Sequence, residues 1–361
     1  MRGLVFNAPK NVSVTDVPDP SVVNPTDAVV RVTKAGICGS DMHIYNHGDA
    51  FGFDAGCRLG HEFVGVVEAV GPEVRTVKPG DRIVAPFWLS CGECHYCRKG
   101  LTTSCVQGGC FGFQAFWGFG GNVEGGQSQF VRVPLADGTL VKVPDELADV
   151  DDKVLLPLVD VFTTAYHAAK GSGVKPGQTA LVIGDGAVGL LACQAASLLG
   201  AGNIVLSGHH DDRLAVGARL GATHTVNSKT NADHLAELLG DLTSSYGPDV
   251  VIDAISSADS MVHAANTVQP GGTVSWVGME VFLGAPQLPW DVCFLRNLTI
   301  RGGVAPVRTY LPELWPLVAS GKLDPSPVLT HDLPLERAAE GYEIMATRAE
   351  GSVKVCVSPG H

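Results

Sequence analysis

The chain has 361 residues, with 25 Lys and Arg against 37 Asp and Glu and a formal net charge of −12 at pH 7. Apolar residues make up 45% and charged residues only 17%, below the usual share of about 25%, so the chain can bury a large core and is not disordered. The 44 glycines follow no triplet period, which excludes collagen, and the acidic balance argues against nucleic acid, whose phosphates call for a Lys/Arg surface.

At roughly 100–200 residues per domain the length predicts two domains. The opening stretch MRGLVFNAPKNVSVTD has no apolar run of the secretory-signal kind. Residues 1–150 read as β-rich. Runs at 28–33 (AVVRVT), 63–70 (FVGVVEAV) and 82–85 (RIVA) are separated by turns such as GPEV and KPGD. From 179 onward strands and helices alternate. Strands are predicted at 179–184, 203–207, 224–227, 249–254, 272–278 and 298–301, and helices at 187–199, 211–220, 231–239 and 258–268. Gly200 and Gly221 stand just past two of these helices, where a C′ position favours Gly. The alternation predicts βαβ units and a doubly wound parallel sheet, hence an α/β fold. Two helices near 310–320 and 335–347 follow, then a closing strand at 351–357 that could return to the β-rich part and make it discontinuous. The most membrane-like stretch, 180–201, contains Asp185, Gln194 and four glycines. It reads as strand, turn and helix, and no membrane partner is expected.

Ten cysteines are unevenly spread. A secreted disulfide scaffold would be short and evenly stitched, so the pattern points to a reducing, cytoplasmic setting. Cys91, Cys94, Cys97 and Cys105 have the spacing x2, x2, x7. Four thiolates on one lobe can enclose a tetrahedral metal, Zn2+ being the usual occupant, and a closed all-Cys site is structural. Two disulfides, free thiols, a two-zinc cluster or an iron–sulfur cluster are the competing readings.

The turn Gly184-Asp185-Gly186-Ala187-Val188-Gly189 follows a predicted strand and opens a predicted helix. In that setting the glycines allow a tight turn, a pyrophosphate against the backbone and close helix–strand packing. The helix N-terminus then faces the phosphates. An empty doubly wound fold that keeps the glycines for packing is the plainer reading. In the β-rich part, CGSDMH places Cys38, Ser40, Asp41 and His43 within six residues, and Gly60-His61-Glu62 forms a second cluster. Alone, Cys38 reads as a small buried hydrophobe and His61 as a satisfied core histidine. Beside a dinucleotide turn and a four-cysteine lobe, both read as metal ligands.

These motifs together resemble the zinc-dependent medium-chain alcohol dehydrogenases over essentially the whole chain. The resemblance implies a GroES-like β-rich catalytic domain at 1–156 with a zinc lobe at about 88–108, a Rossmann domain at 157–295, and a return to the catalytic domain at 296–361. It implies hydride transfer between an alcohol and NAD(P), giving an aldehyde or ketone, with two zincs per chain. Cys38 and His61 match catalytic zinc ligands. Asp160 stands where many relatives have Cys, as in the branch of glutathione-independent formaldehyde dehydrogenases and bacterial secondary-alcohol dehydrogenases. Three such ligands leave one open position. Asp41 would hold the His61 ring. Ser40 matches the hydroxyl that receives the substrate proton, and His43 the solvent end of that relay. Glu62 matches a residue beneath the zinc that can act as an alternative ligand. Adjacent side chains on an extended segment point to opposite faces, however, so His61 and Glu62 could both reach the metal only with a local bend. Thr164 resembles a residue packing on the nicotinamide, and Val277 and Gly278 its carboxamide-binding backbone.

NAD-specific sheets end strand two on an acid that meets the ribose 2′-hydroxyl. On the family pattern Gly208 occupies that place. His209 and His210 could meet a 2′-phosphate and Arg213 add charge, so NADP(H) is favoured over NAD(H), and Gly208→Asp is expected to move the preference toward NAD(H). A solvated turn is the plain reading of the histidines. Asp211 and Asp212 read as the cap and first turn of the next helix. The aromatic, glycine-rich segment from Cys110 to Gly120 could, with Trp88, line an apolar substrate pocket, or be a packed loop or an oligomer contact. The resemblance also implies a homodimer or homotetramer, pairing through an edge strand such as 298–301. Two other functions compete. A zinc-free quinone or enoyl reductase on this architecture has no reason to keep three ligands. A non-catalytic cofactor-binding protein has no reason to keep Ser40 and His43 beside them.

Overall fold

Two sheets organise the chain in a computed structural model that describes residues 1–113, 123–280 and 288–360. The chain forms two compact units, Met1–Asp160 with Pro306–His361, and Val161–Ala305.

In the first unit, strand Ala28–Ile37 is central. It pairs antiparallel with Phe63–Val70, Phe130–Val133 and Lys354–Ser358. The sheet continues through Arg82–Ala85 to Val141–Lys142 on one side and, by a parallel pairing, to Leu329–Pro334 on the other. The predicted closing strand therefore completes a sheet begun by the N-terminal part. Its Val-rich runs are buried on both faces for much of their length, which is why they read as continuous apolar stretches. A hairpin of Arg2–Ala8 with Asn11–Asp16 was not predicted. Neither was helix Gly39–His47, which has no apolar stripe to betray it. Its first turn is secured by Asp41, whose Oδ2 accepts from the Cys38 amide at 2.9 Å.

In the second unit six parallel strands run in the order 224–227, 203–208, 179–183, 250–253, 273–276, 299–302. This is the doubly wound order whose switch point lies beside the first strand. Strand Thr299–Gly302 pairs parallel with Thr273–Trp276, so residues 296–305 stay with this sheet. Helix Val161–Ser172, also unpredicted, opens the unit. No helix among the described residues is long and apolar enough to cross a membrane.

Candidate metal and cofactor sites

Cys38 follows the central strand and caps helix Gly39–His47. His61 and Glu62 precede strand Phe63–Val70. Asp160 stands between the 3-10 turn Leu156–Val159 and helix Val161–Ser172. These remote segments bring one ligand atom each from Cys38, His61, Glu62 and Asp160 within 4.8 Å of one another. Asp160 Oδ2 lies 3.5 Å from Cys38 Sγ and 3.2 Å from His61 Nε2. Ligands at about 2.0–2.3 Å from a tetrahedral zinc stand about 3.3–3.8 Å apart, so the donor set fits that ion. The electrostatics agree. Burial would push the His61 imidazole down, yet the Asp41 and Asp160 carboxylates raise it well above its ordinary value. Burial, with the Asp160 and Glu62 charges, raises the Cys38 thiol. A site this deep and this anionic calls for a cation.

The other ring nitrogen, Nδ1, stands 3.3 Å from Asp41 Oδ1. Asp41 is fully buried and also accepts from Gln127 Nε2 at 3.1 Å, while Tyr342 donates to Gln127 Oε1 at 2.8 Å. This chain of side chains lies behind the Nδ1 edge of the ring, where it can hold the ring's orientation. Ser40 Oγ lies 3.2 Å from His61 Nε2, and His43 follows one helical turn later, half-buried, its imidazole lowered by burial and by His47.

Glu62 departs from the extended-segment expectation, because its carboxylate is within reach of the other three ligands. Gly60, at φ +97°, supplies the bend. Gly36 supplies the room, since a Cβ there would lie 1.9 Å from Glu62 Oε2. Sequence reasoning missed the partner: Lys354 Nζ meets Glu62 Oε2 at 2.6 Å and donates to the Ile37 carbonyl at 3.2 Å. No spacing rule links residues 62 and 354. The rings of Phe113 and Phe87 stand edge-on to His61 at 5.5 and 6.3 Å and make one side of the site apolar. Gln114 to Gly120, proposed with Trp88 as pocket lining, lie outside the described residues.

Cys91, Cys94, Cys97 and Cys105 also converge within 4.8 Å. Cys91 and Cys97 sulfurs are 4.0 Å apart, close to the roughly 3.8 Å expected on a tetrahedral zinc. All ten cysteines are free, so no disulfide competes. Backbone amides point at the sulfurs: Cys94 N to Cys91 Sγ at 3.4 Å and Cys91 N to Cys105 Sγ at 3.2 Å. The Cys97 and Val106 amides bring the Cys94 thiol down to about 6, which favours the ligating thiolate.

In the second unit, Gly184 has φ +111°, and a Cβ on Gly189 would sit 1.9 Å from the Gly184 carbonyl oxygen. Gly186 caps helix Ala187–Leu198, with Ala187 and Val188 in its first turn. Thr164 lies on helix Val161–Ser172. The amides of Val277 and Gly278 already donate to the Asp253 carbonyl and to Ser256 Oγ, so a carboxamide would have to meet carbonyl oxygens there. At the end of strand Asn203–Gly208 the expectation is corrected in one respect. Asp185 reaches back over Gly208, accepting from the His209 and His210 amides at 2.6 and 2.8 Å and facing His210 Nδ1 at 2.9 Å. Arg213, only 9% exposed, lies with NH1 3.8 Å from Asp185 Oδ1. A Cβ on Gly208 would stand 2.6 Å from Asp185 Cβ and 2.7 Å from its Oδ2, so Gly208→Asp cannot be made without displacing Asp185.

Residues 24–145 match the alcohol dehydrogenase GroES-like domain family, and residues 187–320 the zinc-binding dehydrogenase family. The chain is 34% identical over 384 residues to an uncharacterized zinc-type alcohol dehydrogenase-like protein of Bacillus subtilis, covering 99% of this chain and 100% of that one. Among solved structures, the alcohol dehydrogenase TADH from Thermus sp. ATN1 is similar with a TM-score of 0.91 at 37% identity, covering 100% of both chains. A Sinorhizobium meliloti protein described as a zinc-binding dehydrogenase and bound to NADP is similar with a TM-score of 0.80 at 28% identity, covering 99% of each.

Proposed function

The chain belongs to the zinc-dependent medium-chain alcohol dehydrogenase family, and we propose that it oxidises a small alcohol to an aldehyde or ketone, reversibly, with NADP(H) favoured over NAD(H). The observation that carries this reading is the convergence of Cys38, His61 and Asp160 beside Ser40. Zinc bound by that set supplies a Lewis acid for the alcohol or carbonyl oxygen. A nicotinamide cofactor held at the turn Gly184 to Gly189 would supply the hydride acceptor or donor. The chain's own residues handle orientation and the proton. Asp41 turns the His61 ring so that Nε2 faces Cys38 and Asp160. Ser40 Oγ, at hydrogen-bonding distance from that nitrogen, stands where it can accept the substrate's hydroxyl proton. His43, kept neutral near pH 7 by its burial, can take the proton on toward solvent. Phe87 and Phe113 beside His61 support an apolar substrate. The Sinorhizobium neighbour's NADP supports a nicotinamide cofactor. We assign a second, structural zinc to Cys91, Cys94, Cys97 and Cys105.

Zinc counting with an absorbance assay of alcohols and aldehydes tests the whole reading. The wild type is expected to hold two zincs per chain and turn over. Asp160→Ala should hold one, keep binding cofactor and lose hydride transfer. Cys97→Ser should also hold one, but melt lower, because metal binding at a structural site is folding energy. Glu62→Ala should keep both zincs and part of the activity. Metal lost from the Glu62 variant and kept in the Asp160 variant would overturn the ligand set. Turnover by a zinc-free wild type would favour the reductase reading.

A further inference from the structure

At the far edge of the cofactor turn, three residues of the second unit are gathered by one carboxylate. Asp185 is the first variable residue of the glycine turn, yet its side chain serves the end of the neighbouring strand. Oδ2 takes the His209 and His210 amides and faces the His210 ring, while Oδ1 faces Arg213. Asp185 is 8% exposed. Burial alone would raise its carboxyl, but the His209 and His210 hydrogen bonds outweigh that and hold it below its ordinary value. It is therefore ionised at neutral pH.

We infer that Asp185 is a positioning residue for the adenosine 2′-site: it fills the space a strand-end acid would take and holds the His210 ring ready for a 2′-phosphate. The inference rests on the NADP(H) reading above. A strand-end acid at residue 208 would offer its oxygens to a ribose 2′-hydroxyl and repel a phosphate. Asp185 instead turns its charge onto the protein's own amides, imidazole and guanidinium. That leaves Gly208 as the only residue type that fits beside it without strain, since any Cβ there meets the carboxylate. With Nδ1 engaged, the other nitrogen of His210, Nε2, lies on the side of the ring away from Asp185, and the side chain is 29% exposed. A ring already held by carboxylate and backbone needs little ordering when an anion arrives. Between that carboxylate and a bound phosphate the ring would donate from both nitrogens. His209, whose amide is tied down but whose side chain is exposed, flanks the same spot.

The test is calorimetric binding of 2′,5′-ADP and ADP, which needs neither zinc nor turnover. The variants are Asp185→Ala, Asp185→Asn, His210→Ala and the Asp185→Ala/His210→Ala pair. The wild type is expected to bind 2′,5′-ADP more tightly than ADP. Asp185→Ala and His210→Ala should each weaken 2′,5′-ADP by about 10-fold or more, the loss of one charge-assisted hydrogen bond, and change ADP far less. The double variant should be no worse than either single one, because both remove the same contact. Asp185→Asn keeps an oxygen for the two amides and should lose less than Ala. An unchanged preference in Asp185→Ala would overturn the role of Asp185 and leave the NADP(H) reading standing. Equal loss of both ligands would show a purely structural role, and tighter 2′,5′-ADP binding would show a repelling carboxylate; either overturns the inference. A wild type that favours ADP would overturn the NADP(H) reading and this inference with it.

Discussion

Lys354 carries a charge to a position only 1% exposed, beneath a cluster of candidate metal ligands. Burial would lower its ammonium, but Glu62 and the neighbouring anions hold it above its ordinary range. Burial in turn raises Glu62 to about 7 against the pull of Lys354. Glu62 therefore keeps the buried ammonium charged, while Lys354 offsets part of the burial that disfavours the Glu62 carboxylate. Removing one partner of a buried pair costs about 3–5 kcal/mol, whereas replacing both can be nearly neutral. Lys354→Met is expected to lower unfolding free energy by that amount in denaturant melts at saturating zinc. Lys354→Met with Glu62→Gln should recover much of the loss. A double variant as unstable as the single one would mean that the packing of Lys354 matters, and not its charge.

At the scale of elements, the last two strands of the first unit's sheet are tied in by one carboxylate. Asp332, on strand Leu329–Pro334, meets Lys34 Nζ on the central strand and Lys153 Nζ at 3.0 Å each, and accepts from Ser358 Oγ at 2.9 Å. Burial would raise its carboxyl, but Lys153, Lys34 and Ser358 bring it down to about 2 from an ordinary 3.8. A depressed folded-state value means stability that is complete above about 4 and lost as the pH falls toward 2. With the side chain 31% exposed, solvent screening leaves about 1 kcal/mol of it. Asp332→Asn is thus expected to be about 1 kcal/mol less stable than the wild type at pH 7. The gap should close progressively between pH 4 and 2. A gap that stays constant with pH would place the effect outside this ion pair.

For the molecule as a whole, the second unit leaves an edge open among the described residues. Strand Thr299–Gly302 ends the six-stranded sheet, with Thr299, Arg301 and Gly302 exposed. The preceding helix Trp290–Leu295 leaves Trp290 68%, Phe294 82% and Leu295 75% exposed. An edge unpaired among the described residues, beside three exposed apolar side chains, suits a two-fold partner of the same chain, since such surface is costly in water. Phe294→Glu is expected to lower the molar mass measured by light scattering, with no change in zinc content. A wild type that is already monomeric would refute the homo-oligomer expectation.

Local pattern alone carried the glycine turn, the four-cysteine lobe and the strand–helix alternation from residue 179, because each depends on residues close in sequence with a period or spacing of their own. The metal-ligand candidates Cys38, His61 and Asp160 were legible through family resemblance, since three single residues in three segments have no spacing to advertise them. Helix Gly39–His47 escaped notice because it is held by Asp41 and by packing, not by an apolar stripe. Only the tertiary structure could decide the rest. It brought Lys354 under Glu62 across nearly the whole chain, bent Glu62 in through Gly60 and the gap at Gly36, and laid Asp185 over Gly208. Each of these is an electrostatic or steric match between segments distant in sequence. A buried charge takes its meaning from the partner that folding places beside it, and no local rule names that partner.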